Sequence, residues 1–267
     1  MRSTLLWCLA LAVCVVLVGA PVMAQQPSEG PLWVMSFWKM KFESAPDWQR
    51  LVRASWLRDQ AELKKAGLIE DYAVMTHDYG SEWNLLTMAR FKDYAGVDVL
   101  EQKEDEVLRK TSPDTVASAA LGKVFRSYLL EHYDSFVRPL AGTSLNPAAQ
   151  PGSNPLWVFS FYQVKLGHLD EIENWIKNNW KRADERLKSE GVIQDYCYLR
   201  HDYGSEWNLI RVVRLNGYGD VDKFQKRAME IAKESEPDEA KRTANARQFT
   251  DLVLTHYDSF MRQMTPK

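Results

Sequence analysis

Cysteine is scarce in this 267-residue chain, with only Cys8, Cys14 and Cys197. The first two fall in an N-terminal segment expected to be removed. One thiol then remains, so no intramolecular disulfide can form and stability has to come from a packed core. An excess of one charge sign is lacking too. Lys and Arg total 34 against 36 Asp and Glu, for a net charge of -2, and no long basic run occurs. The electrostatic footprint of a nucleic-acid binder is missing, and no nucleic-acid partner is expected. Beyond the N-terminal segment no apolar stretch is long enough to span a bilayer.

Local chemical motifs are equally sparse. There is no CxxCH, which excludes c-type haem attachment, and no HxH, HExxH or cysteine pair that fixes two metal ligands locally. Gly-rich phosphate loops and G-x-S-x-G are absent as well. No metal ligands and no cofactor are assigned, while a metal gathered from separate segments or a noncovalent haem stays open.

What is present begins with Arg2, an apolar run from Leu5 to Val18, and then Gly19-Ala20-Pro21-Val22-Met23-Ala24. A charged start, a hydrophobic core and a small-residue ending predict a signal peptide over 1–24, cleaved after Ala24, and a periplasmic or secreted mature protein. An uncleaved anchor is the alternative; Pro21 and the A-x-A-like ending favour cleavage.

The mature chain is one unit written twice. Offset by 124 residues, "PLWVMSF" at Pro31 meets "PLWVFSF" at Pro155, "HYDSF" at His132 meets "HYDSF" at His256, and "HDYGSEWNL" at His77 recurs unbroken at His201. About 40 paired positions are identical, which marks a duplication. The repeats run over 31–138 and 155–262, joined by a Pro/Gly/Ser/Asn/Ala linker, 139–154.

Periodicity within the unit predicts a strand from Leu32, with Trp33, Met35 and Phe37 on one face and Val34, Trp38 and Met40 on the other. A helix over Pro46–Ala66 follows, closed by Gly67, and then strands Leu68–Tyr79 and Trp83–Phe91 joined through Gly80-Ser81. A polar helix covers Tyr94–Lys110. Ser112-Pro113-Asp114 opens another that reaches about His132 or His256, and "SFVRPL" or "SFMRQM" forms a short last strand.

This order is a ferredoxin-like βαββαβ unit. The expected fold class is α+β: two tandem ferredoxin-like repeats pairing within the chain into one α/β-barrel-like pseudo-dimer. The element order resembles the dimeric α/β-barrel superfamily over nearly all of the mature chain. The hairpin also resembles one found in exported bacterial proteins, HD(Y/W)G(S/D)EWN, matched by His77–Asn84 and His201–Asn208. The resemblance implies a range of activities, among them cofactor-free oxygenases, haem-handling enzymes and stress-responsive proteins, and fold alone does not choose among them.

Apolar positions drifted between the repeats, as Val74 to Tyr198 and Leu86 to Ile210, whereas the identical strings are polar. Four of the five histidines lie in them; only His168 does not. Hairpin pairing sets His77 opposite Asn84 and His201 opposite Asn208, close enough for an imidazole–amide bond that fixes one tautomer. His77, His201, Asn84, Asn208, His132 and His256 are therefore the candidate catalytic residues. Trp83, Trp207, Tyr79 and Tyr203 are the candidate ligand contacts, with a core role the alternative for the tryptophans. Asp134 and Asp258 are expected to bond backbone at the helix–strand turn. Arg200 and Arg211, which replace Thr76 and Thr87, are expected at the solvent. Cys197 replaces Ala73, so chemistry shared by both repeats needs no thiol. Two functions follow: a small-molecule binder or enzyme with one His/Asn pocket per repeat, using acid–base or cofactor-free oxidative chemistry, or a non-catalytic structural or partner-binding protein.

Overall fold

A computed structural model describes residues 30–80, 83–140, 142–147, 154–204 and 206–265, with the backbone alone at 111 and 115. The expected signal peptide, its cleavage site, Ser81 of the hairpin turn and residues 141 and 148–153 of the linker lie outside the described residues.

Strands β1 (Leu32–Met40), β2 (Asp71–Tyr79), β3 (Leu85–Phe91) and β4 (Leu129–Pro139) come from the first half. The second half supplies β5 (Leu156–Val164), β6 (Asp195–Tyr203), β7 (Leu209–Leu215) and β8 (Val253–Gln263). They close in the order β1-β3-β2-β8-β5-β7-β6-β4, each neighbouring pair antiparallel. This corrects the expected fold class. The two halves do not stand as separate ferredoxin-like units; they contribute to one closed eight-stranded antiparallel barrel. The physical reason is edge satisfaction. Each set of four strands leaves β2 and β4, or β6 and β8, with unpaired backbone, and β2–β8 and β4–β6 ladders complete them.

The barrel interior is filled by alternate residues of the strands. Trp33, Met35, Phe37, Trp157, Phe159 and Phe161 share one buried cluster with Ala73, Met75, Cys197 and Leu199. Phe37 meets Phe161 at 5.6 Å between ring centroids, which links the halves through the core. Helices cover the outside, so both strand faces are apolar. In the first half these are α1 (Ala45–Leu51), α2 (Leu57–Lys65), α3 (Tyr94–Thr111) and α4 (Thr115–Tyr128). Their counterparts are α5 (Leu169–Asn178), α6 (Trp180–Ser189), α7 (Val221–Ser235) and α8 (Glu239–Leu252).

Three local expectations change. The first predicted helix is interrupted by a π-helical turn, Val52–Trp56, between α1 and α2. Asp114, not Ser112, caps α4, accepting from Ala117 N at 2.9 Å. The last helix of each half ends at Tyr128 or Leu252, and an 11-residue strand follows, so His132 and His256 are strand residues rather than helix-terminal ones. The linker also contributes to the core: Leu145 is buried in the interior cluster.

The repeated strings meet across the halves. Gly80 has φ +123°, and a Cβ there would lie 2.2 Å from Asp258 O and 2.7 Å from Ser259 Cα; Gly204 packs likewise on Asp134 and Ser135. Only glycine allows that backbone angle and that approach. Gly80→Ala is expected to cost about 3 kcal/mol or more, since the clash is with backbone. Gly67→Ala, at φ +73° with nothing within 4 Å, should cost about 1 kcal/mol. Urea unfolding of the two variants checks this, and equal losses would refute tight packing at the junction.

Candidate functional site

The hairpin opposes His77 and Asn84 as expected, with His77 N donating to Asn84 O at 3.4 Å. The side chains do not bond each other. Asn84 Oδ1 accepts from Met40 N and its Nδ2 donates to Met40 O, both at 2.8 Å. Asn208 does the same with Val164, at 2.7 and 2.9 Å. A two-pronged amide clamp on the end of β1 or β5 satisfies backbone that the ladder has left, which is a structural role. The predicted His/Asn pair is corrected accordingly. His77 Nδ1 and His201 Nδ1 are buried without a hydrogen-bond partner among the described residues. Burial lowers the pKa of both imidazoles.

Between these histidines and the glycines lies the junction itself. A bulge at Asp78 separates the pairings His77 with Met261 and Tyr79 with Phe260; a bulge at Asp202 does the same opposite Val137 and Phe136. Each bulged carboxylate is held from the neighbouring half. Asp202 accepts from Arg138 Nε at 2.8 Å and Tyr94 Oη at 3.1 Å. Asp78 accepts from Arg262 Nε at 3.2 Å and Tyr218 Oη at 3.1 Å. Burial, and then Asp78, push the Tyr218 hydroxyl up to about 12. Tyr79 and Tyr203 are exposed and lie edge-on against Tyr218 and Tyr94, at 6.0 and 6.2 Å. Trp83 and Trp207 are half-buried against the interior, each perpendicular to Tyr133 or Tyr257 at 4.7 Å. The aspartates of the HDYGSEWNL strings thus join the halves.

His132 stands elsewhere. It pairs with Trp38 across β1 and β4, and its ring stacks on that indole at 3.9 Å. Trp38 belongs to the outer cluster between sheet and helices, whereas His77 alternates with the inward Met75. His77 and His132 therefore lie on opposite faces of the sheet, and no pocket unites them. Around His132 the first half builds an aromatic cluster. Trp56 and Phe125 contact Trp38 edge-on at 5.2 and 5.9 Å, and Trp38 Nε1 donates to Thr87 Oγ1 at 3.1 Å. His132 Nε2 lies 3.1 Å from Asp134 Oδ1. Asp134 is an imidazole partner in mid-strand, which corrects its expected turn role. Trp56 ends the π-helical turn, a distortion that often marks functional positions.

The second half fills the equivalent layer with a buried polar set. Asp184, fully buried on α6, accepts from Tyr198 Oη and from Arg211 Nε at 3.1 Å. Arg211 lies 5.1 Å over Trp180, and Arg200 bonds Glu173 at 2.7 Å and Asp170 at 3.2 Å. Both arginines are tied into the helix–sheet layer, which corrects their expected solvent position. His256 stacks on Tyr162 at 5.5 Å. Sequence reading missed Trp38, Trp56, Phe125, Asp184 and Tyr198 as a set. A signal existed: Gln60, Val74 and Thr87 change together to Asp184, Tyr198 and Arg211 between the repeats. Cys197 is buried, its thiol pushed up to about 12, and it offers no nucleophile.

Among the described residues no helix is long and apolar enough to cross a membrane, and no cluster of three His, Cys, Asp or Glu is arranged to hold a metal. No family model matches the chain, and no curated protein matches its sequence. Solved structures match its shape. A proposed monooxygenase from Lactobacillus acidophilus NCFM aligns at TM-score 0.55 and 9% identity, over 89% of this chain and 95% of its own. A second, from Fusobacterium nucleatum, aligns at 0.55 and 8%, over 88% and 93%. An anthrone oxidase-like protein aligns at 0.52 and 14%, over 89% and 92%. At such identities the likeness is one of fold, and that fold is the dimeric α/β-barrel.

Two outcomes follow. Asp184→Ala leaves Arg211 buried without its carboxylate and should cost about 3–5 kcal/mol, against about 1 or less for Gln60→Ala; thermal unfolding decides. For pH, His77 and His201 have folded values below the ordinary imidazole value of about 6.5. The unfolded chain then binds more protons, so their contribution is complete above about pH 6.5 and is lost as pH falls below it. Wild type should lose more stability between pH 7 and 5.5 than a His77→Gln/His201→Gln variant. Parallel curves would refute neutral burial of the two rings.

Proposed function

We propose that this protein binds a planar aromatic small molecule at one site, against the first-half aromatic cluster between sheet and helices, and uses the exposed His132 there as an acid–base group. The observation that carries this reading is the His132–Asp134 contact at 3.1 Å beside the 3.9 Å stack on Trp38. With Asp134 accepting the Nε2 proton, Nδ1 keeps its lone pair and is available as a base. Trp38, Trp56 and Phe125 supply ring faces and edges for an aromatic guest. A C–H acid bound there would lose its proton to Nδ1, and the resulting carbanion would react with dioxygen. For anthrone the balance is anthrone plus O2 giving anthraquinone plus water, a reaction class in keeping with the fold neighbour described as anthrone oxidase-like. One site per chain replaces one per repeat, because the second half has the buried Asp184, Arg211 and Tyr198 set where the first has Gln60, Thr87 and Val74. Export to the periplasm or beyond, expected from residues 1–24, belongs to the same reading.

The competing reading, a structural or partner-binding protein, is favoured by a different observation. The junction contacts of Asp78, Gly80, Asp202 and Gly204 and the amide clamps of Asn84 and Asn208 give several of the repeated letters a role without chemistry. Anthrone titration followed by tryptophan fluorescence, with oxygen uptake recorded in parallel, separates the two. Saturable quenching in wild type should weaken at least about tenfold in Trp38→Leu, and His132→Gln should lower oxygen uptake by about 100-fold or more. His256→Gln should leave both intact. Absence of binding in wild type favours the structural reading, and binding without oxygen uptake reduces the protein to a binder.

A further inference from the structure

Four polar atoms inside the barrel, on three adjacent strands, have no hydrogen-bond partner among the described residues. They are His77 Nδ1 on β2, Trp157 Nε1 on β5, and Ser259 Oγ and Gln263 Oε1 on β8. Register gathers them. His77 pairs with Met261 and Met261 with Trp157, while Ser259 and Gln263 stand two residues to either side of Met261 on the same strand face. With strands about 4.8 Å apart and alternate residues about 6.8 Å apart, the five positions cover roughly 10 by 14 Å. Ser259 is 0% and Trp157 1% exposed, so solvent at the surface does not serve them.

The chemistry of the four restricts what can satisfy them. Trp157 Nε1 only donates and Gln263 Oε1 only accepts; Ser259 does both, and His77 Nδ1 does one or the other by tautomer. A guest has to accept and donate at once. Carboxylates and phosphates offer acceptors alone, ammonium groups donors alone, and an apolar guest neither. A buried ion would also need a countercharge, and these four groups supply none. We propose that the β2–β8–β5 interior is a built hydration site, in which one or more buried waters bridge Trp157 Nε1 to Gln263, Ser259 and His77. Water of this kind is an ordinary structural element where buried polar groups lack protein partners.

The pseudo-equivalent place across the barrel supports the specificity of the site. Trp33 Nε1 and His201 Nδ1 are orphaned there as well, around Val137. Pro139 stands where Gln263 stands, however, and Ser135 Oγ donates to Tyr203 O at 3.5 Å. Two of the four demands are gone, so the larger water site is on the β2–β8–β5 side.

Two measurements on the full chain test this. Oxygen-17 relaxation dispersion in solution counts waters that reside longer than the protein tumbles. A crystal structure at about 1.5 Å locates them, with oxygen-sized density expected about 2.6–3.2 Å from Trp157 Nε1 and from at least one other of the four atoms. A Ser259→Ala/Gln263→Leu variant should lose at least one long-lived water. The proposal is overturned if the wild-type atoms bond protein groups instead, if the space between them is dry, if density there belongs to an organic molecule, or if the variant keeps every long-lived water. The wild-type measurements decide the matter even where the variant fails to fold.

Discussion

Closure of the eight-stranded sheet is the constraint on which everything else rests. A four-stranded half exposes two edges of unpaired N–H and C=O groups, and these two halves remove each other's edges through β2–β8 and β4–β6. The closing ladders are not plain strand pairs. Each carries a bulged aspartate, Asp78 or Asp202, bonded by an arginine and a tyrosine, and a glycine pressed onto opposing backbone. The Arg138–Asp202 pair is nearly dry, its side chains 8% and 14% exposed, so removal of either member would strand a buried charge. The repeated letters H-D-Y-G and H-Y-D-S-F are retained twice because the junction occurs twice.

Closure also decides where a ligand can sit. A barrel of eight strands is just wide enough for side chains to fill, and Trp33, Met35, Phe37 and their counterparts fill this one. Outside the barrel, a second layer of side chains packs between the sheet and the helices. There the halves diverge. The two halves share a backbone, but one carries a buried Asp184–Arg211–Tyr198 set where the other has Gln60, Thr87 and Val74. A buried ion pair with its hydrogen bonds met is a rigid filler. The symmetry of the fold and the asymmetry of the chemistry are independent outcomes.

Much of this architecture was legible in the residues. The 124-residue offset, the strand alternation of Leu32–Met40 and the opposition of His77 to Asn84 all rest on local periodicity, which a sequence carries directly. The misreadings have physical causes. Phe249, Leu252, Val253 and His256 fall at helical spacing, yet the helix stops at Leu252 because Tyr257, Ser259 and Met261 have to alternate into the barrel. Long-range β pairing overrode a short helical pattern. Asn84 was read as a partner for His77 because both are polar and opposed; the backbone of Met40, distant in sequence, had the stronger claim on its amide. The outer cluster was not legible at all, since Trp38, Trp56, Phe125 and His132 are brought together by four separate elements.

The four motif histidines end in two kinds of surroundings, and that difference bears on what each can do. His77 and His201 are inward, with Nδ1 enclosed and the charged form disfavoured by burial. Burial of that nitrogen in a polar-poor interior favours the neutral ring. His132 keeps about a third of its side chain in solvent and a carboxylate at its ring nitrogen, against a tryptophan face. Access, orientation and a binding surface coincide there. The histidines of H-D-Y-G therefore face the barrel, and those of H-Y-D-S-F, His132 and His256, are the ones that closure left outside.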